Sequence, residues 1–270
     1  MNIDKKDLTD ALYLSCVENY FLAWISKFYK VERLYSNSFV SISQVFDDFF
    51  CGANYENYSM IERIQSTAEK YGVVSHSYVK LSANEALNFI KNLSGQDLCL
   101  IRVKETFFEG FKRRAWRADH YICIDRELNW LNQYPLSEGK FTEESFSEIY
   151  DGAICLFRAM DLSIIPPDEN KKSLLKQNFE DIHIEIGLQN LESATGILRI
   201  TRKRLAKYYV GIAVSSLFET EVRLLDKLYF DIHFQRIKKT KAESAIYEKI
   251  KEIILIEKEI WERLYESGID

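Results

Sequence analysis

Three residues of this 270-residue chain carry side chains that combine into nucleophilic chemistry: Cys16, His120 and Asn132. A thiol is a weak nucleophile until it ionises. A free cysteine has a pKa of about 8.5, and a helix N-terminus or a neighbouring imidazolium lowers it. Cys16 heads the segment Cys16-Val17-Glu18-Asn19-Tyr20, after which apolar residues recur at helical spacing. Backbone N–H groups and the positive end of the helix dipole would then face its sulfur. His120 opens the apolar run Tyr121-Ile122-Cys123-Ile124 and is suited to take the thiol proton and return it. Asn132 follows after one short turn, and its side-chain carbonyl would hold the imidazole in the productive tautomer. The expected site is a Cys-His-Asn triad, distant in sequence and adjacent in space.

Several elements must position these residues. Val17, Tyr20, Phe21, Trp24, Ile25 and Phe28 fall at helical spacing, with one face turned to a core. Residues 43–50, 61–70 and 84–93 also read as helices, the last with Ser82 as N-cap. Strands are expected over 73–81, 98–103, 121–125, 130–131 and 153–157, with a helix from Thr142 before the last of them. The strand, turn and strand from His120 onward bring Asn132 back to the same end of a sheet. Pro166-Pro167 and the polar run after it mark a boundary, giving one domain over 1–165 and a helical region over 166–270. Leu205, Tyr208, Ile212 and then Ile246, Ile250, Ile253, Ile260 and Leu264 predict about three long helices there. The fold class is therefore α+β followed by an all-α region.

Composition excludes other chemistries. A net charge of −5 argues against a general nucleic-acid binder. Five cysteines, none in a C-x-x-C pair, argue against a disulfide framework or a zinc site. With no Gly-rich phosphate loop and no H-E-x-x-H, no metal and no bound cofactor are expected. The polar opening Met1-Asn2-Ile3-Asp4-Lys5-Lys6 is unlike a signal peptide. No apolar run reaches the roughly 20 residues of a membrane span. The expectation is a reduced, cytoplasmic protein without a membrane partner.

Other candidates have plainer roles. Cys51, Cys99, Cys123 and Cys155 read as small buried residues. His76 reads as a surface or sheet-edge residue, and His183 and His233 lack a metal-ligand partner one turn away. Asp125 or Asp119 are alternatives to Asn132 as the group that orients His120, although Asp119, adjacent in a strand, would point to the opposite face. Arg202-Lys203-Arg204 reads as a solvated helix face.

The pieces Cys16-Val17-Glu18-Asn19, His120-Tyr121-Ile122-Cys123-Ile124, Asn132-Gln133-Tyr134-Pro135 and the helix and strand between Phe146 and Phe157 carry a resemblance. Over residues 8–158 the chain resembles the papain-like fold of the bacteriocin-processing C39 peptidases. It looks still more like their relatives in natural-product biosynthesis, the butirosin-type acyltransferases, and like the papain-like amide synthetase of closthioamide assembly. The resemblance implies a papain-like fold with an antiparallel sheet. It also implies a reaction in which Cys16 takes an acyl or peptidyl group from a carrier-protein thioester and passes it to a small-molecule amine. Phosphopantetheine would then belong to the acyl or peptidyl carrier protein.

Two departures favour transfer over proteolysis. C39 peptidases carry a Gln six residues before the Cys as oxyanion donor; here that position is Asp10, and an ionised carboxylate cannot donate. Those peptidases are also typically fused to a transporter, and this chain shows no such part. The oxyanion donor is instead expected to be the Cys16 N–H or another donor, Asn19 or Gln44. Arg113, Arg114 and Trp116, in a basic run, would dock the carrier or its phosphate, or else form a solvated loop. Phe107, Phe108, Trp116, Trp130 and Tyr134 either shield the site from water or belong to the core. The helical region would cover the site, bind the carrier or form a homodimer. A cysteine peptidase or amidase, and a non-catalytic binding protein on the same fold, are the alternatives.

Overall fold

The structure is a computed structural model that describes residues 3–8, 16–31, 34, 41–53, 67–109, 119–166, 182, 184–208 and 214–266. The chain forms two compact units. The first comprises residues 1–31 and 60–164, and the second residues 32–59 and 165–270.

The first unit is built on a six-stranded antiparallel sheet. Helix α1 (Cys16–Ile25) precedes it. In chain order follow β1 (Val74–Lys80), α3 (Ala83–Lys91), β2 (Leu98–Val103), β3 (Tyr121–Ile124), β4 (Asn129–Gln133), β5 (Leu136–Lys140), α4 (Glu143–Ile149) and β6 (Tyr150–Ala159). Helix α2 (Ile42–Phe50) lies in the other unit. The strand order is β1-β6-β2-β3-β4-β5. Local chemistry sets the helix starts. Ser82 caps α3 in a reciprocal box with Glu85, and Thr142 caps α4 in one with Ser145.

Both sheet faces are covered. Cys99, Ile101, Ile122, Ile124, Ile154 and Leu156 pack with Phe107, Phe108, Phe146 and the apolar faces of α3 and α4. On the other face α1 lies against the sheet. Phe21 meets Phe157 at 5.0 Å between ring centroids, and Tyr20 Oη donates to the Leu131 carbonyl at 2.7 Å. Its sequence pattern predicts one buried face, yet α1 is buried all round from Glu18 to Ile25. Such a helix is a core element.

Strand β5 is not predicted from the sequence. Leu136-Ser137-Glu138-Gly139-Lys140 is a largely exposed edge strand with no apolar alternation. Its register against β4 depends on Gly139, where a Cβ would come within 2.6 Å of the Trp130 ring.

The second unit contains α2 with α5 (Leu188–Tyr208), α6 (Ser215–Ile237) and α7 (Ser244–Glu266). Its core joins Val45, Phe46 and Phe49 of α2 to Leu198, Leu228 and Ile250 of the long helices. Arg202 departs from the solvated face predicted for it. It is fully buried, with Nε 2.9 Å and Nη2 2.6 Å from Glu257 Oε2. Glu221 is buried 3.4 Å from the same guanidinium. Burial, and then the Glu257 charge, push the Glu221 carboxyl well above the usual carboxylate range.

Candidate active site

The site takes shape where the sheet opens. Strands β3 and β4 pair only at Cys123↔Leu131 and Ile124↔Trp130. Continued by two residues, that register would set Tyr121 opposite Gln133, but the ladder stops short of that pair. The first turn of α1 supplies the missing hydrogen bond. The Tyr121 N–H, unpaired with β4, donates to Cys16 Sγ at 3.4 Å. A sulfur acceptor for a buried backbone donor follows from the rule that such donors find partners. The thiol therefore sits against the peptide that follows His120.

His120 and Asn132 lie on one face of the diverging strands, as diagonal neighbours in that same register. His120 Nε2 lies 2.8 Å from Asn132 Oδ1. The amide orientation is fixed by its other end, because Asn132 Nδ2 donates to the Pro135 carbonyl at 3.0 Å. Oδ1 is then the atom left for the imidazole, so Nε2 carries the proton and Nδ1 has the lone pair. Asn132 is fully buried, His120 is 8% exposed, and the Phe108 ring stands edge-on to the imidazole at 5.1 Å. That cover keeps water from the Asn–His bond.

The two aspartates weighed against Asn132 are engaged elsewhere. Asp125 lies at the far end of β3, where Oδ1 accepts the N–H groups of Glu127 and Asn129 at 3.0 and 2.9 Å. Asp119, in the left-handed backbone region at φ 62°, pairs with Arg102 Nη1 at 3.0 Å. The same guanidinium reaches Asp151 at 2.9 Å, which ties the residue before His120 to β2 and β6.

The residues expected around the oxyanion divide. Asn19 is buried one turn beyond Cys16, and its Nδ2 donates to Gln133 Oε1 at 2.7 Å. Gln44 belongs to the helical unit, where its amide donates to Asp48 Oδ1 at 2.6 Å. Asp10, Arg113, Arg114 and Trp116 lie outside the described residues. Of the aromatics considered as a shield, Phe107, Phe108 and Trp130 join the core cluster beneath the sheet. Gln133 stands inside the Asn132-Gln133-Tyr134-Pro135 piece, but nothing in the sequence assigns it a role of its own.

The other cysteines differ from Cys16. Cys99, Cys123 and Cys155 are buried in the sheet, and Cys51 is exposed in the helical unit. Burial raises the Cys99 thiol well above its ordinary value and pushes Cys123 up to about 12. Burial likewise pushes Cys155 up to about 12, with the charges of Cys16 and Glu69 adding to the effect. A Cys–His contact lies between edge strand β1 and its neighbour β6, where His76 Nε2 is 3.1 Å from Cys155 Sγ and His76 Nδ1 is 3.6 Å from Glu69. It is a poor nucleophile pair. The thiol resists ionisation, and burial lowers the pKa of His76, which stacks on Phe157 at 4.6 Å.

Among the described residues no cluster of His, Cys, Asp and Glu has a metal-binding arrangement, and no helix is long and apolar enough to cross a membrane. No family model, no curated protein and no solved structure matches the chain.

Proposed function

We propose that the first unit is a papain-like acyltransferase. In this reading Cys16 accepts an acyl or peptidyl group from a carrier-protein thioester and passes it to an amine, forming an amide in natural-product assembly. The single observation that carries it is the convergence at one opened sheet end. A thiol at a helix start rests on the Tyr121 N–H, and the preceding residue is an imidazole whose Nε2 is held by Asn132 at 2.8 Å.

The chemistry follows from that arrangement. His120 Nδ1 takes the Cys16 proton, and the α1 N-terminus favours the thiolate. Sulfur attacks the thioester carbonyl. The tetrahedral intermediate collapses, and the carrier's thiolate leaves with the proton from His120. An amine then attacks the acyl-enzyme, with His120 as base, and Cys16 is restored. Asn132 keeps Nε2 protonated throughout, so Nδ1 is the only imidazole atom that exchanges protons. The carrier brings its own phosphopantetheine, and the chain itself needs no cofactor for this exchange.

The test uses the full chain with an acyl-carrier thioester and an amine. Amide product, and a covalent acyl adduct on Cys16 by mass spectrometry, are expected; both vanish in Cys16→Ala. Free acid alone, whatever amine is offered, makes the protein a cysteine hydrolase. Product formation that survives Cys16→Ala ends every catalytic version and leaves a binding protein.

A further inference from the structure

A thiol, a base and its orienting amide leave one requirement of acyl transfer unmet: a side-chain donor for the oxygen that becomes negative as sulfur attacks. We infer that Gln133 is that donor. The inference rests on the acyl-transfer reading of the Cys16 site.

Three observations converge on it. In the register fixed by Cys123↔Leu131, Gln133 is the residue across from Tyr121, and Tyr121 N–H is the group that holds Cys16 Sγ. Gln133 thus borders the gap that contains the sulfur. Second, Asn19 Nδ2 grips Gln133 Oε1 at 2.7 Å. Asn19 is three residues along α1 from Cys16, and side chains at that spacing are neighbours with Cβ atoms about 5–6 Å apart. The grip therefore brings the Gln133 amide to within about one turn of the thiol. Third, Gln133 is only 7% exposed, and its Nε2 has no acceptor among the described residues. Nε2 is not sealed inside the core, so an acceptor that arrives from solvent can reach it. With Oε1 turned to Asn19, Nε2 is the end left for another acceptor. No oxyanion exists in the resting protein, so an idle donor is what a preorganised site shows before substrate arrives.

The step then balances within the chain. The Cys16 thiolate forms the S–C bond, and the carbonyl π pair moves onto oxygen. Nε2 of Gln133 and the orphan N–H at the start of α1 donate to that oxygen. The pair returns as the leaving thiolate departs with the proton from His120. Asn19, first expected to be the donor itself, becomes the positioning residue that aims Gln133.

Two reactions of Cys16 separate this role from a structural one. Acylation by the acetyl thioester of N-acetylcysteamine develops an oxyanion, whereas alkylation by iodoacetamide displaces iodide at saturated carbon and develops none. Gln133→Met is expected to slow acylation by about 10²–10³-fold while alkylation stays within about 2-fold of the parent. Gln133→Glu keeps an acceptor for Asn19 and, when ionised, removes the donor. Above neutral pH it should show the same split, which covers the case in which the Met variant fails to fold. Acylation unchanged in Gln133→Glu, or both rates falling together, overturns the assignment. The acyl-transfer reading fails by a different result: parent protein in which Cys16 takes no acetyl group and alkylates no faster than exposed Cys51.

Discussion

Tyr20 Oη is bonded to the Leu131 carbonyl across 111 residues of chain, so the helix that carries Cys16 is fastened to the strand that carries Asn132. Burial holds the Tyr20 hydroxyl well above its ordinary pKa, which keeps it a donor at any working pH. Tyr20→Phe should cost about 1–3 kcal/mol, the cost of leaving a buried acceptor unsatisfied. Urea midpoints would measure it. An unchanged midpoint would mean that the carbonyl finds water instead.

Asn132→Leu should lower Cys16 acylation by about 10²-fold or more, within the range that correctly held acid–base groups contribute. Asn132→Asp keeps an acceptor for His120 Nε2 and should recover part of the loss. Because the Asp stabilises imidazolium, its rate profile should also move to higher pH on the His120 limb. A Leu variant as fast as the parent would show that the imidazole needs no orienting partner.

Thiol reactivity should sort by position. Cys99, Cys123 and Cys155 should resist iodoacetamide until the protein unfolds, since burial raises all three pKa values. Cys51 should label as an ordinary exposed thiol, and Cys16 faster. Peptide mass spectrometry over a time course separates the five. Native-state labelling of Cys123 at the Cys51 rate would contradict the buried sheet.

The same thiols set an alkaline limit. Cys123 and Cys155 are held up at about 12, whereas an unfolded chain ionises them at about 8.5. The unfolded chain therefore sheds protons that the native state keeps. Their contribution is complete below about pH 8.5 and is lost progressively as pH rises toward the folded value. Urea midpoints measured at pH 7, 9 and 10 should fall, and Cys123→Ala should flatten the slope whatever its effect at pH 7. An equal slope in the variant would refute the linkage.

In the helical unit, Arg202→Met should destabilise by about 3–5 kcal/mol, because it strands Glu257 without its buried partner. Glu257 also accepts the Ile42 N–H at the start of α2 at 3.2 Å, so the loss should loosen that helix. Glu221→Gln should behave differently. Its raised native pKa means that stability is present below about pH 4.3 and lost as pH rises through the native value. Glu221→Gln should therefore gain on the parent as pH rises from 5 to 8, by thermal or urea unfolding.

Much of the frame was legible from local signals. The Ser82 and Thr142 caps, the apolar run Leu98–Val103 and the helical periodicity of the last hundred residues each depend on neighbours in sequence. The approach of Asn132 to His120 follows from a strand, a turn and a strand of the right length. What stayed hidden depends on partners far along the chain. Arg202 reads as a surface charge because Glu257, which neutralises it, lies 55 residues away. The apolar face of α2 announces burial but not which unit receives it. β5 offers no alternation because its outer edge is open to solvent. Asn19 and Gln133 are two neutral amides with no spacing rule between them; only the opening of β3 from β4 makes them neighbours.

On the acyl-transfer reading, that opening also sets when the thiol becomes competent. The peptide that seats Cys16 and the amide that steadies His120 are made more than a hundred residues after the thiol. A growing chain that ends before Tyr121 carries a cysteine like that of any flexible peptide, with no base beside it. On the acyl-transfer reading the thiol gains its base only once β3 and β4 are both in place. A fragment that stops before Tyr121 should react with iodoacetamide at the rate of a free peptide thiol, and a faster reaction would show that α1 alone activates the sulfur.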